Sequence, residues 1–422
     1  MLLSDTDICL NIQVHHFRIC ILISKLSQLG ILLFIAALVA ILTRRLHLPY
    51  TVGLVLAGSG LYFSQFQIAL HLSKDLIFSV LLPPLVFEAA LCIRWAEFKK
   101  DLPVVGLLAT LGVVLAAAVT ATGMHYLLGW QWQAAILFGV LISATDPVSV
   151  IATFKEAGLR GRLRLLIEAE SLLNDGTAAV TFVAVLGIMS GDHQNPVSLL
   201  SSLVFTIGGG SLIGMLVGYG FMVLAGRTND PLVELTLTTL AAYGSFFVAE
   251  HYQASGVLAA LSAGLVVGNL RTPASISESG RHTLLTFWEY AAFVANSLIF
   301  ILIGVQEAQQ HFEGLWIPVL IATALVTFGR AVSIYPLCAL FAQSRLRVAW
   351  RHQHVLFWGG LRGALALALA LALPEDLPHH DAMVVLTFAI VAFSVFVQGL
   401  TITPLLRKLG QVGLASPGEL EK

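Results

Sequence analysis

Ser143-Ala144-Thr145-Asp146-Pro147-Val148 and Glu168-Ala169-Glu170-Ser171-Leu172-Leu173-Asn174-Asp175-Gly176 place carboxylates, and in the first case a proline, inside stretches that otherwise read as membrane-spanning. An ionisable group at the centre of a bilayer costs about 2.5–3.5 kcal/mol even on the lenient insertion scale, so it is normally retained for ion or proton handling. Two such stretches in succession point to a cation site inside a transporter.

The rest of the chain agrees with a membrane setting. Of its 422 residues 57% are hydrophobic and only 11% are charged, where a soluble protein carries about 25% charged residues; the mean hydropathy is +0.87. A net charge of −1 gives no reason to expect a nucleic-acid partner. Cys9, Cys20, Cys92 and Cys338 show neither CxxC nor zinc spacing, so no disulfide framework or resident metal site is indicated. No cofactor is expected beyond the transported ions. The histidines, His379-His380 included, read as ordinary loop and helix-end residues. Residues 1–25, interrupted by Asp5, Asp7, His15, His16 and Arg18, lack the order of a signal peptide. They are expected to be an upstream extension or the product of a misplaced start. Residues 411–422 are expected to be a short cytoplasmic tail, which leaves function to the bundle at 26–410.

Apolar runs of roughly 17 residues or more are candidate spans. About thirteen can be drawn, at roughly 26–43, 49–64, 74–93, 102–128, 133–154, 162–190, 198–226, 231–252, 255–270, 283–306, 314–343, 351–373 and 380–407. Loop charges test the count. Arg44-Arg45, the group Arg94, Lys99 and Lys100, the group Lys155, Arg160, Arg162 and Arg164, then Arg227, Arg271 and Arg281, the group Arg345, Arg347 and Arg351, and Arg407-Lys408 all follow odd-numbered spans. Only Lys74 follows an even one. Positive residues stay cytoplasmic, so the N-terminus is expected outside and the C-terminus inside. Gly210, Gly214 and Gly218 in span 7 form a small-residue stripe whose expected role is close helix packing.

The candidate chemistry lies in five spans. In span 5, Pro147 removes the hydrogen bond to the Ser143 carbonyl and steers Asp146 away from α geometry. A break at that depth must face protein or a wet cavity, and its freed carbonyls with Asp146 make an oxygen-rich cradle. In span 6, Ser171 and Asp175 share one helix face while Glu170 and Asn174 form the neighbouring stripe. All-oxygen ligation suits a small hard cation. Glu88, after Pro83-Pro84 in span 3, is a further ligand, an entrance carboxylate or a structural partner. Arg330 in span 11 and Arg362 in span 12 each need a buried partner, and Glu170 suits one of them. The glycines at 359, 360 and 363 weaken span 12, and a break there would let Arg362 offset exposed carbonyl ends. Spans 5 and 12 are seven apart, hence antiparallel. That fits two inverted six-helix repeats joined by span 7, the arrangement in which paired broken helices mark a transporter's site.

At this point the sequence resembles the NhaP/NHE type of sodium/proton exchanger, within the monovalent cation:proton antiporters. The resemblance spans roughly residues 26–410. It rests on Leu48–Gly53, Leu82–Leu91, Ala144–Val148, Glu170–Gly176, Asn296–Gly304 and Gly359–Ala364 in that order. It implies an all-α integral membrane protein of about 13 transmembrane helices with broken crossing helices 5 and 12. It further implies a homodimer in membrane lipid, in which core helices at about 102–190 and 314–407 move against a dimerisation scaffold at about 26–93 and 198–306. By motif, Asp175 becomes the carboxylate shared by cation and proton, surrounded by Asn174, Ser171, Thr145 and Asp146. With Glu88 added, the expected Na⁺ ligands are Asp175, Ser171, Thr145 and Glu88. The family's acid four before the asparagine, here Glu170, pairs with an arginine, Arg330 in the favoured reading and Arg362 in the alternative. Electrogenic relatives carry Asp-Asp where this chain has Asn174-Asp175, which implies one-for-one electroneutral exchange. The long regulatory tail of animal exchangers is missing from the sequence, so control through it is not expected.

Burial favours the neutral form of a carboxylate and cationic neighbours favour the charged form, so a proton and a cation can compete for one group. The expected function is therefore exchange of Na⁺ or Li⁺ for H⁺ by alternating access, and not enzyme catalysis. K⁺/H⁺ exchange on the same fold is the alternative. An intramembrane aspartyl protease using Asp146 and Asp175 is a remote one, since these aspartates lack the usual Tyr-Asp and Gly-x-Gly-Asp contexts. A channel fits less well than a stoichiometric binder. The simplest location is a bacterial cytoplasmic membrane, with several passes.

Overall fold

The computed structural model describes residues 27–46, 48–64, 72–146, 161–189, 196–270, 278–310 and 314–410, and every regular element among them is helical. The expectations for residues 1–25, for Pro147 and for the 411–422 tail lie outside these residues. In chain order the helices are α1 (Ser27–Leu46), α2 (Tyr50–Phe63), α3 (Leu76–Cys92), α4 (Trp95–Leu128), α5 (Trp132–Leu141), α6 (Arg162–Met189), α7 (Pro196–Ala225) and α8 (Pro231–His251). They continue with α9 (Gly256–Asn269), α10 (Glu278–Glu307), α11 (Trp316–Leu340), α12a (Trp350–Trp358), α12b (Ala364–Leu371) and α13 (His380–Lys408).

Among the described residues, eight of these are long and apolar enough to cross a bilayer. The apolar runs predict about thirteen spans, and several of the helices are shorter than that expectation. The 14 residues of α2 or α9 rise only about 21 Å, against a hydrocarbon core of about 30 Å. Span 12 is in two pieces because Gly359–Gly363 leaves the helix. Span 4 is longer than expected and starts at Trp95, because its first turns, with Lys99 and Lys100 exposed and Phe98 buried, form an amphipathic surface segment. It kinks at Thr110, whose hydroxyl donates to the Gly106 carbonyl at 2.6 Å. Pro83-Pro84 does not break span 3; a π-helical turn over Leu76–Leu81 precedes it.

The described residues divide into two compact units, one holding those within 1–72 with Ser297–Gln309 and one holding the others. In the smaller, the Tyr50 hydroxyl meets Ser297 Oγ at 2.7 Å and Ser59 Oγ donates to the Gly304 carbonyl at 3.1 Å. In the larger, the glycine stripe of α7 lies on α9: a methyl at Gly218 would stand 3.0 Å from the Ala263 Cα, and Gly210 and Gly214 face the Ser255 and Ala259 backbones. The opposite side of α9 meets Phe87 and Leu91 of α3 through Gly264 and Gly268. Close packing of this kind substitutes for the hydrophobic drive that lipid cannot supply.

The charged ends of the larger unit are also tied. Arg162, at the start of α6, grips the buried Asp101 of α4 through Nε (3.0 and 3.1 Å) and Nη2 (2.6 Å). It also donates to the Leu346 and Arg347 carbonyls in the turn after α11. One guanidinium thus joins α4, α6 and the turn after α11.

Candidate functional site: a carboxylate cluster where two unwound segments cross

α5 ends at Leu141, and residues 142–146 continue without helix. Gly359–Gly363 does the same between α12a and α12b. The two unwound segments meet, with the Asp146 backbone N–H donating to the Leu361 carbonyl at 2.7 Å. Gly363 makes the approach possible, because a Cβ there would stand 2.6 Å from the Asp146 Cγ. Helical polar groups left open in this way must be met by protein at this depth. Arg362 does so, donating through Nη1 to the carbonyls of Ser143 and Ala144.

α6 presents its polar face to this crossing. Thr145 Oγ1 donates to Ser171 Oγ at 3.2 Å. Asn174 Nδ2 donates to the Ser143 carbonyl at 3.3 Å and to Thr145 Oγ1 at 3.2 Å. The amide of Thr145 faces the Asp175 carboxylate, and Asp146, Glu170 and Arg362 are its charged neighbours. All of these side chains are buried. Two oxygens stay unmatched: Asn174 Oδ1 and Asp175 Oδ1 are buried and have no hydrogen-bond partner among the described residues. A buried carboxylate oxygen without a partner is costly, and a small hard cation or a proton is the chemistry that relieves it. The set offers only oxygen, with no soft donor.

Glu170 lies beside this set, fully buried, and takes two hydrogen bonds from Arg330: Nη1 to Oε1 at 2.6 Å and Nη2 to Oε2 at 2.9 Å. Arg330 Nη2 also reaches the Leu356 carbonyl of α12a at 3.1 Å. The parallel fork is the strong form of an arginine–carboxylate pair. Arg362 takes carbonyls instead. With every group ionised, the carboxylates of Asp146, Glu170 and Asp175 face the guanidiniums of Arg330 and Arg362, and one negative charge is left over.

Glu88 is not part of this set. It lies half-buried beside Cys92 (3.9 Å from its sulfur) and near Arg164, which pairs with Glu168 at 2.5 Å. Arg164 and Asp175 are eleven residues apart on α6, about 16 Å along the axis, so Glu88 sits at the far end of that helix from the crossing. Its place among the expected Na⁺ ligands is corrected accordingly; two prolines near an acid gave no information on depth.

The sequence did not single out Gly363 and Leu361 as contacts of Asp146, or Asp101 as the partner of Arg162. The run Gly359-Gly360-Leu361-Arg362-Gly363 carried a signal for the first two. Asp101, an acid at the edge of an apolar run, looked like any interfacial charge. On the same side of the crossing as the C-terminal end of α6, a cavity of about 950 Å³ reaches down to Ala179 and Phe182, one and two helical turns beyond Asp175.

Unwound segments crossing at a buried, oxygen-only carboxylate cluster in a helical membrane protein define a secondary transporter of the broken-helix class. Residues 31–408 match the family described as sodium/hydrogen exchanger, transmembrane, and the chain belongs to that family. It is 38% identical over 390 residues to the Na(+)/H(+) antiporter ApNhaP of Aphanothece halophytica, covering 92% of this chain and 75% of that protein. It is 37% identical over 399 residues to the low-affinity Na(+)/H(+) antiporter NhaS1 of Synechocystis, covering 92% and 76%. In fold it is similar to the sodium proton antiporter MjNhaP1 from Methanocaldococcus jannaschii, with a TM-score of 0.73 at 20% identity, covering 92% of this chain and 99% of that one.

Proposed function

We propose that this protein exchanges Na⁺ for H⁺ across the membrane one for one, with both ions competing for Asp175. The observation that carries the reading is the pair of unmatched buried oxygens, Asp175 Oδ1 and Asn174 Oδ1, beside the hydroxyls of Thr145 and Ser171. The transported ion is the substrate; these four residues hold it, and Asp146 adds field. Family membership and the antiporter relatives support the same ions.

The leftover charge supports electroneutrality on a second ground. One proton or one monovalent cation neutralises the cluster, so both loaded forms cross the bilayer uncharged. The empty form carries a full negative charge into a low-dielectric region, which is strongly unfavourable, and so stays put. Coupling follows without further parts. The cavity above Ala179 supplies an access path on the side that the loop charges assign to the exterior. We further propose a homodimer in the cytoplasmic membrane, N-terminus outside and C-terminus inside. Its core helices, at about 102–190 and 314–407, move against a scaffold at about 26–93 and 198–306.

Proteoliposomes with an internal pH dye test it. Na⁺, Li⁺ or K⁺ gradients are imposed with and without a voltage clamp, beside the Asp175→Asn variant. Sodium-driven proton flux that ignores voltage and vanishes in the variant is expected. Flux driven by K⁺ alone would reassign the ion, and normal exchange by Asp175→Asn would overturn the mechanism.

A further inference from the structure

α13 does not run as a regular α-helix. Ser394–Gln398 forms a π-helical turn, a feature that recurs at functional positions because it re-aims side chains. Here it turns two polar groups inward: Ser394 and Gln398 are buried, and Ser394 Oγ donates to Gln398 Oε1 at 2.9 Å. Both line a small cavity whose facing wall is made by Arg330, Arg362 and Gly360, with Thr327 at the side.

Arg330 is 6% exposed. Its two terminal nitrogens serve Glu170 and the Leu356 carbonyl, while Nε has no hydrogen-bond partner among the described residues. Gly360 leaves that edge of the guanidinium open, since a Cβ there would stand 2.5 Å from Nε. The cavity has room for about one water molecule, and a buried water needs two to four polar partners. Three lining residues carry suitable groups: Arg330 Nε–H and the Gln398 amide N–H as donors, and the Ser394 hydroxyl oxygen as acceptor. The Thr327 hydroxyl already donates to the Thr323 carbonyl.

We propose that this cavity binds one ordered water that bridges Arg330 Nε to the Ser394–Gln398 π-turn. The bridge fixes the plane of the guanidinium and with it the two-pronged grip on Glu170. Gln398 is then a positioning residue, acting on the site through Arg330. Two arginines on one wall would also attract an anion, but three carboxylates in the same cluster leave it net negative, and a neutral ligand fits better. The inference is independent of which ion is transported.

The test uses the full chain in lipid nanodiscs, imaged at a resolution that shows ordered water. A single peak within hydrogen-bonding distance of Arg330 Nε and the Gln398 side chain is expected. A dry cavity, or Gln398 turned to bond Nε directly, would overturn the proposal. Melting adds a readout that packing alone would not give. Gln398→Leu should melt lower than wild type in the native background, yet cause no further loss beside Glu170→Gln and Arg330→Met, where Nε is gone. An equal loss in both backgrounds would mean that Gln398 only fills space. Replacing chloride with gluconate should leave melting unchanged; an anion-dependent shift would assign the cavity to an anion instead.

Discussion

Glu170→Gln isolates the arginine pair from the transport chemistry. Glu170 is fully buried and Arg330 nearly so, with the fork closed at 2.6 and 2.9 Å. Removing one partner of such a pair costs about 3–5 kcal/mol, because the other charge is left buried and uncompensated. Glutamine keeps one oxygen for Nη1 and the Leu356 carbonyl still serves Nη2, so the loss should fall near the lower end, about 3 kcal/mol, with Glu170→Ala nearer 5. At about 2 °C per kcal/mol for a large domain, that is a fall of roughly 6 °C in melting temperature. The assay is the fraction of monodisperse protein remaining after heating in detergent. Adding Arg330→Met removes the stranded charge, so the double variant should recover most of the loss, and the cycle should show a coupling energy of at least about 3 kcal/mol. Single variants as stable as wild type, or a double variant that loses the sum of both, would refute the pairing as the source of stability.

Three further outcomes are expected. Gly363→Ala should cut exchange sharply while keeping a folded protein, since a Cβ pressed on the Asp146 carboxylate costs about 1–3 kcal/mol of overpacking; initial proton flux in vesicles measures it. Asp101→Asn should lower stability by about 1–2 kcal/mol, less than a fully buried pair would, because the Arg162 side chain is 36% exposed; melting in detergent reads it. Asn174→Asp adds a second negative charge beside Asp175 and should make any remaining exchange respond to a clamped membrane voltage, and voltage-independent exchange by that variant would break the charge argument.

The helical membrane fold and the place of its crossing were legible because they rest on composition and on local rules. Pro147 and the glycines of span 12 announce a weakened helix wherever they stand, and the four-residue spacing of Ser171 and Asp175 fixes one face. The Gly210, Gly214 and Gly218 stripe was legible for the same reason, although its partner, α9, was not. Depth and partners were harder. Glu88 lies four residues after a proline and Asp146 directly before one, yet only Asp146 reaches Asp175, because which acids share a level depends on how the helices pack. The choice of Arg330 over Arg362 for Glu170 depends on how α11 packs against α12a, through the Leu356 carbonyl, which no spacing encodes. The Asp146–Leu361 contact uses backbone alone and leaves no side-chain signature.

The division of labour between the two arginines explains how one carboxylate can be the variable element of so charged a cluster. The two terminal nitrogens of Arg330 are held by Glu170 and a carbonyl, and Arg362 is held by the carbonyls left open beyond the end of α5. Neither has to let go for Asp175 to change its ligand. On the proposed reading what varies is the ligand of Asp175 Oδ1, one of the two site oxygens that the described protein atoms leave unmatched, and with it a single unit of charge. In the proposed exchange a proton or a sodium ion satisfies both at once, the hydrogen-bonding deficit and the charge. A scaffold with Glu170 unpaired would strand Arg330, and one with Arg362 missing would strand the Ser143 and Ala144 carbonyls; either loss would add a second variable group and blur the distinction between loaded and empty. In the proposed exchange the fixed ion pair thus keeps Glu170 from competing with Asp175 for the incoming cation.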